Sequence, residues 1–201
     1  IKAMFMRMKI CVRDQQCQRV LWRESSDEEM RVYVMSSMMF GPTCSPFASQ
    51  FAKNSIADEW KAVYPTAADS IKRFVYMDDL LSSEDTVEEA VAIASQSIEI
   101  FASRNWHLIS FQSNSIEFLK SLPDANVKQG LITLLEDEEN CTTKVLGCVW
   151  DTKSDSFIYK FDKNLFVKIV RDYNHIPTKR DQCSTLARTF DLLGLIAHFT
   201  I

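Results

Sequence analysis

Gln18–Arg23 (QRVLWR) sets a short apolar run, Val20-Leu21-Trp22, between polar residues, and a longer apolar run follows at Met30–Phe40 (MRVYVMSSMMF). Both read as short strands, and Asp27-Glu28-Glu29 between them suits a turn, so the pair predicts a hairpin. Gly41-Pro42-Thr43 breaks the pattern. Ser45 then stands as a helix N-cap with Pro46 at the first helical position, and the spacing predicts a helix to about Tyr64, ended by Pro65. Ile71–Met77 (IKRFVYM) predicts a strand and Leu80-Leu81-Ser82 its return, with Asp78-Asp79 between them. Along Ser83–Asn105, the positions Val87, Ala90, Val91, Ala94, Ile98, Phe101 and Ala102 have the spacing of an amphipathic helix. Trp106–Phe111 predicts a strand, and Ser113-Asn114-Ser115 caps a short helix over Ile116–Leu119. Asp124–Asn140 is polar toward its end and is expected at the periphery. Lys144–Tyr159 predicts a hairpin, KVLGCVWD against SFIY, turning near Lys153-Ser154-Asp155. A last helix is expected after Pro177-Thr178, running to about Leu193 and stopped by Gly194.

Strands and helices thus mix, with antiparallel hairpins prominent, which is an α+β pattern. A doubly wound parallel sheet needs regular alternation and a glycine-rich βα turn, and this chain has four glycines in all. Its 201 residues suffice for one large domain, or one domain and part of a second. An apolar fraction of 46% and a charged fraction of 25% fit a packed core and exclude wholesale disorder. No stretch reaches the roughly 20 apolar residues that span a bilayer, so no membrane partner is expected. The opening Ile1-Lys2-Ala3-Met4-Phe5 lacks the apolar core of a signal peptide. It also lacks an initiating Met, as expected of a piece of a longer polypeptide. The cysteines (11, 17, 44, 141, 148 and 183) form no C-x-x-C pair, and His107, His175 and His198 are scattered. A zinc site is therefore not expected, and free thiols in a reducing compartment are.

The net charge of −4 argues mildly against a nucleic-acid binder. Its distribution softens that objection. Lys2, Arg7, Lys9, Arg13, Arg19 and Arg23 crowd the first segment, and a second basic stretch holds Lys160, Lys163, Lys168, Arg171, Lys179, Arg180 and Arg188. The acids gather at Asp27-Glu28-Glu29 and at Glu136-Asp137-Glu138-Glu139. Such segregation permits a local phosphate-binding surface, although solvated charged faces account for any single run equally well.

Asp78 and Asp79 are the residues richest in chemistry. In an arbitrary protein an Asp-Asp pair is most often a solvated hairpin tip, because Asp is a good turn former. Here the pair follows the apolar Phe74-Val75-Tyr76-Met77 and precedes Leu80-Leu81, so a rigid, buried hairpin is expected to present it. Strand alternation puts Tyr76 and Asp78 on one face. Carboxylates held this way suit hard divalent cations such as magnesium. Two such ions clamp the attacking and leaving oxygens of an in-line phosphoryl displacement.

Tyr76-Met77-Asp78-Asp79 resembles the Y-x-D-D box of reverse transcriptases, and the other motifs follow in the order of BEL/Pao-type retrotransposon enzymes. Ile1–Phe5 resembles their D-I-x-x-M-F element without its Asp. Gln18–Arg23 resembles Q-R-x-L-W-R, and Phe40–Phe47 (FGPTCSPF) resembles F-G-x-x-x-S-P-F. Leu108–Asn114 and Leu146–Asp151 resemble L-x-K-W-x-S-N and L-G-x-x-W-D. Thr178-Lys179-Arg180 and Phe190–Leu195 resemble T-K-R and F-D-P-L-G-L. Departures are Ser110 for a Lys, Phe111 for a Trp, Leu192 for a Pro and His198 at another common Pro position.

The resemblance implies a polymerase palm with part of the fingers over 1–140, a primer-grip hairpin and linker over 141–177, and the start of a thumb or connection over 178–201. It implies an antiparallel sheet with helices packed on one face. The implied activity is RNA-directed DNA synthesis, the transfer of deoxynucleotides to a primer 3′-hydroxyl. Asp78 and Asp79 would be catalytic and would bind two magnesium ions, or manganese in their place, with the Ile1 backbone carbonyl facing one. Phe5, Gly41, Tyr76 and Met77 would line the nucleotide site, Phe5 as a gate against the ribose 2′-hydroxyl or as a plain core aromatic. Arg19, Arg23, Ser45, Pro46, Leu146, Gly147 and Trp150 would contact template or primer. The implied partners are an RNA template, a DNA primer, deoxynucleoside triphosphates, and the protease, ribonuclease H and integrase of one polyprotein. The implied setting is cytoplasmic, in virus-like particles. As the first catalytic Asp and the fingers segment precede Ile1 in that family, the chain by itself is expected to be inactive. The alternative is a non-catalytic retrotransposon relic that at most binds nucleic acid.

Overall fold

The structure, a computed structural model, describes residues 1–128, 142–158, 178–188 and 194. The chain divides into two compact units, Ile1–Gln129 and Gly130–Ile201. It is an α+β protein whose described strands form only small antiparallel sheets, two of two strands and one of three.

The first unit opens with two single-turn helices, α1 (Met4–Arg7) and α2 (Val12–Gln15). The strands β1 (Arg19–Trp22) and β2 (Arg31–Val34) then pair antiparallel as the two runs around Asp27-Glu28-Glu29 predict, with Leu21 opposite Val32. The second strand is shorter than its apolar run. Beyond Val34 only Ser37 pairs again, in an isolated bridge to Lys9. Helix α3 (Ser45–Trp60) follows, and here Ser45 is not the cap. Its hydroxyl donates to the Met39 carbonyl at 2.8 Å, and Cys44 occupies the N-cap position. Pro65 does not merely end a helix but opens the next one, α4 (Pro65–Phe74).

Helix α4 overturns most of the strand expected at Ile71–Met77. Proline suits a first helical position, and Ala67, Ala68 and Ile71 recur at helical spacing and are buried. That stripe carries the helix through Phe74, leaving the apolar run only β3 (Val75–Tyr76). A turn at Met77-Asp78 leads to β4 (Asp79–Leu80), with Val75 opposite Leu80 and Tyr76 opposite Asp79. Helix α5 (Val87–Ala102) is N-capped by Thr86, whose hydroxyl accepts from the Glu89 N–H at 3.2 Å. Glu88 and Glu89 in its first turn complement the helix dipole. Trp106–Phe111 is not a strand. Asn105 and Ser110 both have positive φ (59° and 60°), which breaks the extended run, and only Phe111 bridges, to Val127. Helix α6 (Ile116–Ser121) is capped by Ser115 as expected, its hydroxyl accepting from the Phe118 N–H at 3.2 Å.

The core of this unit is where these helices meet. Ile100 and Phe101 of α5, Ile71 of α4 and Ala57 of α3 are wholly buried, with Met4, Val75, Trp106 and Leu108 around them. The Phe101 and Trp106 rings stack at 5.8 Å between centroids. Full burial of one such large side chain contributes about 1.5–3 kcal/mol, so α4 and α5 are well anchored. The strand Val75 extends directly from that core.

In the second unit the described strands are β5 (Thr142–Val145), β6 (Cys148–Asp151) and β7 (Ser156–Ile158), in that order in one sheet. The expected single strand KVLGCVWD is itself a hairpin. Leu146 and Gly147 both have positive φ (47° and 85°), the signature of a two-residue turn between paired strands. The later turn, near Lys153-Ser154-Asp155, falls where the sequence places it. Helix α7 (Lys179–Arg188) starts after Thr178 as predicted. The rest of its expected span, to Leu193, lies outside the described residues. So does the polar stretch from 129 to 140.

Candidate functional site

Helix α4 delivers the chain from the core into β3, and the ladder with β4 is two residue pairs long. The turn between them is Met77-Asp78, with Met77 at φ 53°, a left-handed conformation that favours glycine. Such strain persists only where surrounding structure over-determines it, and it clusters at functional sites. Ala3, at φ 52°, is a second residue of this kind, and the two border one cleft. That cleft has a volume of about 270 Å³ and is lined by Ala3, Met4, Phe5, Phe40, Met77 and Asp78. Three stretches far apart in sequence therefore converge on the Asp-Asp turn.

The contacts that assemble it are specific. The Ile1 nitrogen donates to the Asp78 carbonyl. The Lys2 N–H donates to the His107 carbonyl at 2.9 Å, and Arg7 Nε donates to the Lys2 carbonyl at 3.0 Å, which ties the first residues down. Phe5 packs edge-to-face on Phe40, with centroids 4.9 Å apart and planes at 87°. Met4 anchors the segment in the core.

The hairpin is less buried than the sequence suggests. Val75 is buried, but Tyr76 is 62% exposed, and both aspartates face solvent. The face assignment also changes. Asp78 occupies the turn, so it is Asp79, the cross-strand partner of Tyr76, that shares its face. Partial burial pushes the Asp79 carboxyl above the usual carboxylate range, and the adjacent Asp78 charge pushes it further. A divalent cation would relieve that like-charge repulsion. Two carboxylates are a fit donor set for magnesium, which usually takes one or two and keeps several waters. Among the described residues no cluster of three or more His, Cys, Asp or Glu comes together. No family model, curated protein or solved structure matches this chain.

The other residues singled out from sequence divide into two sets. Phe5, Met77 and Asp78 line the cleft, Tyr76 and Asp79 belong to the hairpin that borders it, and Ile1 touches that hairpin through its nitrogen at the Asp78 carbonyl. Ser45 supports the site indirectly, its buried hydroxyl fixing the chain just before Phe40. Gly41 (φ 107°) and Pro46 are not among the lining residues. Arg19 and Arg23 lie on and beside β1, and both are bonded locally, to the Gln16 side chain and the Ser26 carbonyl. Leu146, Gly147 and Trp150 belong to the second unit, where the Trp150 indole donates to Asp155 at 2.9 Å.

Two residues beneath the hairpin escaped the sequence reading. Lys53 of α3 is buried, and its ammonium donates to the Lys72 and Val75 carbonyls, both at 3.2 Å. Gln50 Nε2 reaches the Met77 carbonyl at 3.5 Å. A lone lysine on a helix ordinarily reads as solvated. The available signal is its register, because Ser45, Ser49, Lys53 and Ala57 recur every fourth residue and all are buried.

Proposed function

We propose that the chain is the palm-centred part of an RNA-directed DNA polymerase similar to BEL/Pao reverse transcriptases, acting by nucleotidyl transfer at Asp78 and Asp79. The observation that carries the reading is the convergence of Ala3–Phe5, Phe40 and Met77-Asp78 on one cleft. These come from three separate motifs of the resemblance. In this reading Asp78 and Asp79 hold divalent cations, and a third carboxylate comes from a residue that precedes Ile1 in a longer polypeptide. When bound, such cations stabilise the charge developing on a transferring phosphoryl group. The protein's own share is position and exclusion. Phe5, braced by Phe40, borders the space beside the carboxylates and acts as the gate against a ribose 2′-hydroxyl. Arg19, Arg23 and the Leu146–Trp150 hairpin contact template or primer. RNA template, DNA primer, deoxynucleotides and the other enzymes of a polyprotein are the proposed partners, and virus-like particles in the cytoplasm are the proposed setting. Among the described residues no helix is long and apolar enough to cross a membrane.

The test is primer extension on an RNA template with a chain lengthened upstream to supply the fingers and the further Asp. Magnesium-dependent synthesis is expected, and Asp78→Asn should abolish it, since a neutral amide is a poor cation ligand. Undiminished synthesis in that variant would end the assignment. The alternative reading is a non-catalytic relic that at most binds nucleic acid. Salt-dependent RNA binding without synthesis by the lengthened chain would select it.

A further inference from the structure

Lys53 is 3% exposed, and its ammonium is satisfied by two backbone carbonyls rather than by a carboxylate. Lysine is almost never fully buried unless paired, because burial disfavours the charge. Burial, and next the Lys72 charge, push its pKa down. A cation kept at that cost needs a compensating role, and its two acceptors show where to look. Lys72 stands in the last turn of α4, and Val75 caps that helix and begins β3. The ammonium therefore sits where the helix dipole is negative, at the point where the chain leaves the helix for the strand.

One turn earlier on α3, Gln50 reaches the Met77 carbonyl at 3.5 Å. Both side chains thus hold the backbone leading into the Met77-Asp78 turn. That turn needs an external hold. Its first residue is a methionine at φ 53°, and the ladder below it is two pairs long. An isolated hairpin is marginal in water even with a longer ladder.

We propose that Lys53, assisted by Gln50, is a positioning clamp on the buried face of α3 that holds the Met77-Asp78 turn and so aims the Asp78 and Asp79 carboxylates. The clamp deepens the functional reading above, but only its effect on metal binding depends on that reading.

The experiment compares amide hydrogen exchange in the full 201-residue chain with that in Lys53→Met, which keeps the apolar stem and removes the donors. The reporter is the Leu81 N–H, which closes the base of the hairpin on the Phe74 carbonyl at 3.0 Å. Protection at Leu81 should fall about tenfold while the α5 amides of Ile100 and Phe101 keep theirs. Leu119→Ala in α6 serves as the control that destabilises the unit elsewhere. It should lower protection throughout without singling out Leu81. Equal loss at Leu81 and in α5 on Lys53→Met, or no loss, would overturn the clamp. Should Lys53→Met fail to fold, Gln50→Ala decides by the same criterion, with a loss of roughly threefold confined to Leu81.

Manganese binding, followed by water-proton relaxation, supplies a readout that mere destabilisation does not move. Lys53→Met should weaken it about tenfold, as when the competent turn falls to roughly a tenth of the population. Unchanged affinity alongside lost Leu81 protection would overturn the claim that the clamp aims the carboxylates. If the unaltered chain binds no manganese, the metal reading fails, and hydrogen exchange still judges the clamp.

Discussion

Among the described residues two hairpins turn on two residues, and they are held by different means. Leu146-Gly147 joins strands paired over four residues each, and β6 is paired again on its other side by β7. Leu146 takes φ 47° there, as left-handed as Met77, and Gly147 takes φ 85° without a Cβ to clash. The strain at Leu146 is held by the longer ladder of the hairpin itself. Met77-Asp78 joins strands paired over two residues each and puts a methionine at φ 53°. Its support comes from outside the hairpin, from the Lys53 ammonium, the Gln50 amide and the helical core behind Val75. A hairpin that merely reverses the chain can rely on local chemistry. One that presents two like charges on a strained turn draws its stability from tertiary packing.

Mutations should separate the two cases. The largest effect is expected from Lys53→Met, which removes the ammonium donor from the buried Val75 carbonyl and the part-buried Lys72 carbonyl. Such a loss costs roughly 1–3 kcal/mol, read as a lower denaturation midpoint for the first unit with the amides of β5–β7 undisturbed. Equal loosening of both hairpins would erase the contrast. Next is Gly147→Ala, which forces a Cβ into left-handed backbone and should cost roughly 1–2 kcal/mol. Here the β5–β6 amides should lose protection while Leu81 keeps its own. Smaller still is Met77→Gly, which relieves the strained φ but loosens the unfolded chain, for a net gain of no more than about 1 kcal/mol. A clear loss of stability would mean that the Met77 side chain contributes more through packing than its backbone loses to strain.

The smallest effect is electrostatic. The Asp79 carboxyl is held above its ordinary range by burial and then by the Asp78 charge. The folded chain therefore keeps a proton that the unfolded chain has released. The stability linked to it is present below the ordinary carboxylate pKa and is lost as pH rises through the raised one. Asp79→Asn removes that loss, so the variant's thermal midpoint should gain on the parent as pH rises from acid to neutral. The opposite trend would show that the fold prefers the Asp79 anion.

Much of the fold was legible from local signals. Thr86 and Ser115 cap their helices through short-range bonds, and two strand-forming runs flanking the acidic turn give the observed β1–β2 hairpin. What was not legible required competition between signals. Phe74-Val75-Tyr76-Met77 reads as a strand by composition, but the Ala67, Ala68 and Ile71 stripe belongs to a helix buried against α3 and α5, and packing won through Phe74. At Trp106–Phe111, positive φ at Asn105 just before the stretch and at Ser110 within it outweighed an apolar composition.

The candidate site shows the same division. Asp78 and Asp79 are visible as a motif, and Ile1 and Phe5 as its expected neighbours. The support beneath them leaves only the register of Lys53 on α3 as a signal, because its contacts are to backbone carbonyls 19 and 22 residues away. Backbone acceptors leave no trace in residue identity.

The central claim, that this turn presents a divalent-cation site bordered by Phe5, is most directly tested by paramagnetic broadening of amide resonances with manganese. The account predicts that signals of Ile1–Phe5, Phe40 and Met77–Leu80 broaden first, and that Asp78→Asn removes the effect while the rest of the spectrum is preserved. Broadening centred elsewhere, or unchanged in Asp78→Asn, would contradict it and return Asp78-Asp79 to a solvated hairpin tip.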